Sequence, residues 1–280
     1  RGPAGLNDGK DVGRDLTGGW FDAGDNMKYN FVMASAATCY AWSLVEYREG
    51  FVGSGQLQPA LRNLRWALEY LLRCHTAPEE FYGQVGNTEV DHYMWAPAEL
   101  IDFKGMRQSF KIDKTSPGTD LACEAAAAMA AGSMVFRSTD PAFADTLLVH
   151  ARVLYAFGDR YRGTYDKAID QQLSGYLSYS GYRDELVWGA IWLFRATGDS
   201  SYLHSAQRLY DSLGTESGST TRSFTWTHNW DNKQYGCYLL LARLTGKEMY
   251  RQDLLRWLDF WTVGVAGRKV TSTPGSLAHL

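Results

Sequence analysis

The sequence predicts an all-α chain whose helices pair into hairpins and lie in two concentric layers, an α/α toroid. Three observations predict it. A short turn recurs between helical segments, as Phe-Arg137-Ser-Thr-Asp-Pro-Ala-Phe143, Phe-Arg195-Ala-Thr-Gly-Asp-Ser-Ser-Tyr202 and Ala-Arg243-Leu-Thr-Gly-Lys-Glu-Met-Tyr250. The segment before each turn is apolar nearly all round, and the segment after it carries one apolar stripe. The turns inside hairpins are short and the connections between hairpins are long. A repeated hairpin favours a toroid over an up-down bundle, and about four hairpins are legible.

In chain order, the all-round apolar segments are Phe31–Tyr47, Leu121–Phe136, Leu186–Ala196 and Tyr235–Ala242. Helices of this kind are covered on most sides. Their amphipathic partners repeat apolar residues at spacings of three and four. Leu57, Leu61, Leu64, Leu68 and Leu71 mark the first, and Phe143, Leu147, Ala151 and Leu154 the second. Tyr202, Ala206 and Leu209 mark the third, and Tyr250, Leu254, Trp257 and Trp261 the fourth. Gly198 and Gly246 suit the left-handed position after a helix end. Pro141 suits a first helical turn.

With 280 residues, 45% of them hydrophobic and 21% charged, the chain can bury a large core as one domain. A net charge of -3 gives no electrostatic case for nucleic acid or an acidic membrane surface. No apolar run is long enough to span a bilayer. Cys39, Cys74, Cys123 and Cys237 lie in apolar segments without metal or redox spacing, which predicts buried thiols.

The connections at 75–118, 162–183 and 214–230 hold the unusual residues: Asp91, His92, Trp95, Tyr176, Tyr179, Trp226, His228 and Asp231. In a toroid these connections share one face, and long ordered loops are usually functional. Before the first buried helix, and so on the same face, stands Asp15-Leu-Thr-Gly-Gly-Trp-Phe-Asp-Ala-Gly-Asp25. Glycines permit a tight turn and close approach to a ligand. Aromatic faces beside acids suit a neutral polyhydroxylated ligand, such as a sugar. Glycosidic hydrolysis needs a proton donor for the leaving oxygen and a carboxylate for water or the sugar carbon. Asp22 and Asp25, three apart, come from one side of any bound sugar. They read as the base half of an inverting pair, with the acid about 6.5–9.5 Å across the cleft. An isolated D-x-x-D more often caps a turn; the glycines and aromatics favour the catalytic reading.

The Asp15–Asp25 segment resembles the signature of family 9 glycoside hydrolases, endoglucanases built as (α/α)6 barrels. Similar motifs follow in order: the lead-in Leu6-Asn-Asp-Gly-Lys-Asp-Val-Gly, Gln84-Val-Gly-Asn, Asp91-His92-x-x-Trp95, Pro117-Gly-Thr-Asp-Leu-Ala-Cys-Glu, Ser180-Gly-Tyr-Arg-Asp-Glu-Leu-Val-Trp188 and Trp230-Asp-Asn-Lys233. The resemblance implies endo-hydrolysis of β-1,4-glucosidic linkages in cellulose and related β-glucans, with inversion. It implies Asp25 as base and Asp22 as its helper in holding the nucleophilic water. His92, Trp95, Tyr176, Tyr179 and Trp226 would contact the glucan. It implies a structural calcium ion at Ser180, Gly181, Asp184, Glu185 and Asp231, of the hard oxygen donor type that calcium takes. Without the resemblance, these three acids read as helix N-terminal acids. No organic cofactor is implied. A polymeric substrate implies secretion, and a monomer is expected.

The resemblance is incomplete in places. After Trp95 the family usually has Arg-Pro-Glu-Asp, whereas Ala96-Pro-Ala-Glu-Leu100 keeps Glu99 but loses the arginine and the aspartate. Residues 1–280 are expected to be a single partial catalytic domain. The family's first helix would precede Arg1, and its general-acid glutamate and a second histidine-bearing loop would follow Leu280. Such a piece alone is expected to be inactive and poorly folded. The alternatives are a non-catalytic carbohydrate-binding toroid and another α/α-toroid enzyme, such as a polysaccharide lyase or sugar epimerase. The intact Asp22 and Asp25 argue against the first. The second would want a Tyr, His or Arg constellation for an acidic sugar, which nothing marks.

Overall fold

The computed structural model describes residues 4–93, 95–105, 107–170 and 174–280. Its helices run α1 (Asn30–Glu46), α2 (Arg48–Gly53), α3 (Leu57–Cys74), α4 (Thr88–Tyr93), α5 (Thr119–Phe136), α6 (Pro141–Arg160), α7 (Tyr165–Ala168), α8 (Arg183–Thr197), α9 (Ser200–Leu209), α10 (Gln234–Thr245) and α11 (Glu248–Trp261). The inner helices α1, α5, α8 and α10 pack against one another in that order. Each carries its amphipathic partner, α3, α6, α9 or α11, on its outer side. The four expected hairpins therefore form a two-layer arc. Among the described residues, no helix is long and apolar enough to cross a membrane.

Local sequence explains the joints. Gly198 and Gly246 end α8 and α10 in the left-handed region, at φ 72° and 65°. Asp140 caps α6 by accepting from the Phe143 amide at 3.0 Å, with Pro141 in the first turn. Burial follows the two patterns. α5 is buried along nearly its whole length, while α3 buries only its Leu61, Leu64, Leu68 and Leu71 side.

Polar ties run across the arc. Glu46 at the end of α1 accepts from Arg195 of α8 at 2.6 Å and from Arg243 of α10 at 3.1 Å. Deeper in, Lys233 lies 3.6 Å from Glu124 of α5 and 3.6 Å from Glu185 of α8, and all three side chains are inaccessible to solvent or nearly so. The same ammonium sits over the Phe31 ring of α1. Thr38 of α1 donates to Glu124 at 2.6 Å. Burial favours the neutral lysine, but the surrounding Glu124, Glu185 and Asp184 carboxylates outweigh it and raise its pKa. One cation thus serves helices from three hairpins.

Two expectations need correction. The 75–118 connection is not plain loop: β2 (Glu80–Val85) pairs antiparallel with both β1 (Lys28–Tyr29) and β3 (Ser109–Asp113). Glu80-Phe-Tyr-Gly-Gln-Val hides from a pattern search because five of its six residues are buried, leaving no polar alternation. The sheet matters for the site, since β1 begins three residues after Asp25 and is pinned to the 75–118 connection. Cys39 is exposed, unlike Cys74, Cys123 and Cys237. It lies on the side of α1 that faces His228, with Sγ 3.9 Å from Nε2.

Candidate active site on the loop face

The glycines of the opening segment have steric work to do. Gly19 is left-handed at φ 72°, and a Cβ there would stand 2.6 Å from the Tyr70 ring. A Cβ on Gly24 would meet Cζ3 of Trp95 at 3.3 Å, so the tryptophan lies closely over the turn between the two aspartates. The turn is closed by the Asp22 amide donating to the Met27 carbonyl at 2.9 Å.

Asp25 is nearly buried. Its Oδ1 accepts from the Met27 amide at 3.2 Å, and its Oδ2 lies 3.0 Å from Nε2 of His92 on α4. The His92 ring stacks on Trp95, with centroids 5.1 Å apart. Asp22 accepts a short hydrogen bond from the Tyr176 hydroxyl, and the Tyr176 ring stacks on Tyr29 at 4.3 Å. Burial raises the Asp22 pKa, the Tyr176 bond opposes it, and the charge of Asp25 adds to the rise. The Tyr176 hydroxyl is itself pushed up by burial and by its bond to Asp22. A small cavity of about 80 Å³ beside Asp22 is lined by Trp20, Phe21, Tyr29, Val32, Met33 and Ala36.

The structure thus gathers Asp22, Asp25, His92, Trp95 and Tyr176 into one place from the opening segment and two connections. Trp95, Tyr179 and Trp226 are solvent-exposed aromatics on that face. Tyr179 and Trp226 are anchored elsewhere. The Tyr179 amide donates to Asp231 at 2.8 Å, and the Trp226 carbonyl accepts from Trp257 of α11 at 2.9 Å.

Ser180, Asp184 and Asp231 form a second polar corner. The Ser180 amide donates to Asp231 Oδ2 at 3.0 Å, its hydroxyl donates to the Asp231 carbonyl at 2.5 Å, and that hydroxyl lies 3.4 Å from both Asp184 oxygens. Gly181 turns through φ 82°. Burial raises Asp184 to about 6 and Glu185 well above the carboxylate range, Asp184 adding to the latter. Both Glu185 oxygens are buried without a hydrogen bond. Carboxylates, a hydroxyl and carbonyls are hard donors of the type calcium takes, but among the described residues Asp184, Glu185 and Asp231 do not converge as a three-acid cluster, and Glu185 turns toward Lys233 at 3.6 Å; the acids and imidazole that do converge are Asp25, Asp91 and His92. Asp231 does not open a helix as expected; it precedes α10 in a turn where its amide is capped by Asn229 at 2.8 Å.

Sequence reasoning missed the groups beneath the site. Asp8 is buried and ion-paired with both Lys28 and Arg107, which are buried as well. Asp8 stood in the lead-in motif, but nothing local signals a partner 99 residues away.

A two-layer arc of helical hairpins, with paired aspartates and exposed aromatics on its loop face, defines the class: an α/α-toroid architecture with its candidate site on the loop side. Comparison with known proteins narrows this. The family model described as Glycosyl hydrolase family 9 matches residues 1–280, and the chain belongs to that family. Its fold is that of the family's (α/α)6 barrels. It is 52% identical over 280 residues to Endoglucanase B of Cellulomonas fimi, covering all of this chain and 27% of that protein. It resembles the solved endoglucanase of the termite Nasutitermes takasagoensis, with a TM-score of 0.89, 41% identity, and coverage of 99% of this chain and 61% of that one. It also resembles endoglucanase CelQ of Clostridium thermocellum complexed with cellotetraose, with a TM-score of 0.89, 38% identity, and coverage of 100% and 44%. The chain therefore spans less than two thirds of each of these proteins.

Proposed function

We propose that the protein carrying this chain hydrolyses internal β-1,4-glucosidic linkages of cellulose and related β-glucans, by inversion. The carrying observation is the environment of Asp25. One carboxylate oxygen rests on the Met27 amide and the other on His92, with Asp22 beside it and Trp95 over the turn. Both aspartates come from one turn, so they act on one side of the scissile bond. Asp25 takes a proton from water as the water attacks the anomeric carbon. Asp22, oriented by Tyr176, holds the same water. A separate acid protonates the leaving oxygen, about 6.5–9.5 Å away in an inverting site. No described residue is assigned that role. Trp95, Tyr179 and Trp226 offer flat faces for glucose rings, and His92 and Tyr176 offer polar edges. The relatives' names as endoglucanases support this reading, as do the cello-oligosaccharide complexes of CelQ.

The substrate assignment is tested with the full-length protein on carboxymethylcellulose and on a uronic-acid polymer. Reducing ends are expected from the first alone. Cleavage of the acidic polymer instead would replace the glucanase reading with that of a lyase-type toroid. The same reading includes action outside the cell, as a monomer.

The proposal extends to calcium held by Ser180, Gly181, Asp184, Glu185 and Asp231. The ion would neutralise buried carboxylates and tie the start of α8 to the approach to α10. Removing it with a chelator is expected to lower the melting temperature, and added calcium to restore it. An Asp184→Asn variant should lose that calcium response. A chelator-insensitive melting temperature would contradict the assignment.

A further inference from the structure

We propose that Asp8 is a positioning residue for Asp25, acting through Arg107; the inference rests on the hydrolase reading above. The Asp8 side chain is wholly buried. One of its oxygens accepts from Nε of Arg107 at 2.7 Å, and the other pairs with Nζ of Lys28 at 2.6 Å. Arg107 then spends its remaining nitrogens on the site. Nη2 donates to the Asn26 carbonyl at 2.7 Å and to the Val85 carbonyl at 3.3 Å, and Nη1 stands 3.8 Å from Asp91. Asp91 accepts from the Asn26 amide at 3.0 Å.

Both polar groups of the Asn26 main chain are therefore held, the amide by Asp91 and the carbonyl by Arg107. Asn26 is the residue after Asp25, so fixing it fixes the direction in which the Asp25 carboxylate leaves the backbone. The next residue of α4 after Asp91 is His92, whose Nε2 meets Asp25. Arg107 thus bridges the turn that carries the base and the helix that brings its imidazole partner. A guanidinium suits this task because its planar fork reaches several acceptors at fixed angles, which an ammonium cannot do. Asp8 supplies the buried counter-charge, and its second oxygen ties in Lys28, which donates to the Leu16 carbonyl at 3.0 Å within the same signature segment. Asp8 has no contact with Asp22, Asp25 or His92 among the described hydrogen bonds and ion pairs, so its influence on them runs through Arg107. Misplacement of a catalytic group by about 1 Å costs on the order of 100-fold in rate.

The test uses Asp8→Asn, which keeps shape and removes charge, and the milder Arg107→Lys, which keeps charge and removes the fork. Both are made in the full-length protein, assayed on a soluble cello-oligosaccharide below their measured melting temperatures, and crystallised. The expected result is a kcat lowered by roughly 10–100-fold with KM within about 2-fold, together with a displaced Asp25–Asn26 turn. A role confined to stability would lower the melting temperature and leave kcat per folded molecule and the turn unchanged; that result overturns the proposal. If the unaltered protein hydrolyses no glucan while the variants still displace the turn, the hydrolase reading fails and the coupling of Asp8 to Asp25 stands.

Discussion

Asp25→Asn in the full-length protein is expected to lower kcat on soluble β-1,4-glucan by about 10²–10⁴-fold, the range for removing a general base, with little change in KM. The change is nearly isosteric. The amide oxygen can still accept from the Met27 amide, so the turn should survive. What is lost is the ability to take a proton from water. Asp22→Asn should lower kcat less, because Asp22 only holds the water and is already committed to Tyr176. Steady-state kinetics with both variants, alongside their melting temperatures, check the ranking. If Asp22→Asn is the more damaging, the two roles are reversed. If neither variant loses activity, the base lies elsewhere.

Lys233→Met is expected to be the most destabilising single change in the arc. It leaves Glu124 in a dry interior without its cation, and takes a donor from beside Glu185, whose carboxyl is already pushed toward the neutral form by burial. Removing one partner of a buried ion pair costs about 3–5 kcal/mol. At roughly 2–4 °C per kcal/mol for a large domain, the melting temperature should fall on the order of 10 °C. Adding Glu124→Gln to Lys233→Met removes one stranded charge and should recover part of the loss. Thermal unfolding of the single and double variants decides the matter. A melting temperature within about 2 °C of the unaltered protein for Lys233→Met would mean that the carboxylates are protonated or hydrated, and that the lysine is dispensable.

The helical hairpins were legible because their evidence is local. Leu61, Leu64, Leu68 and Leu71 repeat at helix spacing, and Gly198 and Gly246 mark helix ends by a conformation that other residues avoid. The aspartate turn was legible for a similar reason, since Gly19 is left-handed with no room for a Cβ against Tyr70, and Gly24 is in tight contact with Trp95. The sheet was not. β1 has two residues, and β2 is buried on nearly every residue, so neither leaves a period to detect. The Asp8–Arg107–Asp91 support was not legible either. Its members lie in three segments, and ion pairing between them depends on a strand pairing that leaves no local signal in the sequence. Lys233 shows the same limit: it stood in the Trp230-Asp-Asn-Lys233 motif, but its burial between two glutamates arises from the stacking of α5 and α8.

The central claim is that Asp22 and Asp25 form the base side of an inverting hydrolase. The anomeric configuration of the first-formed product tests it most directly, followed by proton NMR as the full-length protein cleaves a cello-oligosaccharide. The account predicts that the α-anomer of the new reducing end appears first and then mutarotates. First appearance of the β-anomer would mean retention through a covalent intermediate, and would contradict the assignment of Asp25 as a base acting on water.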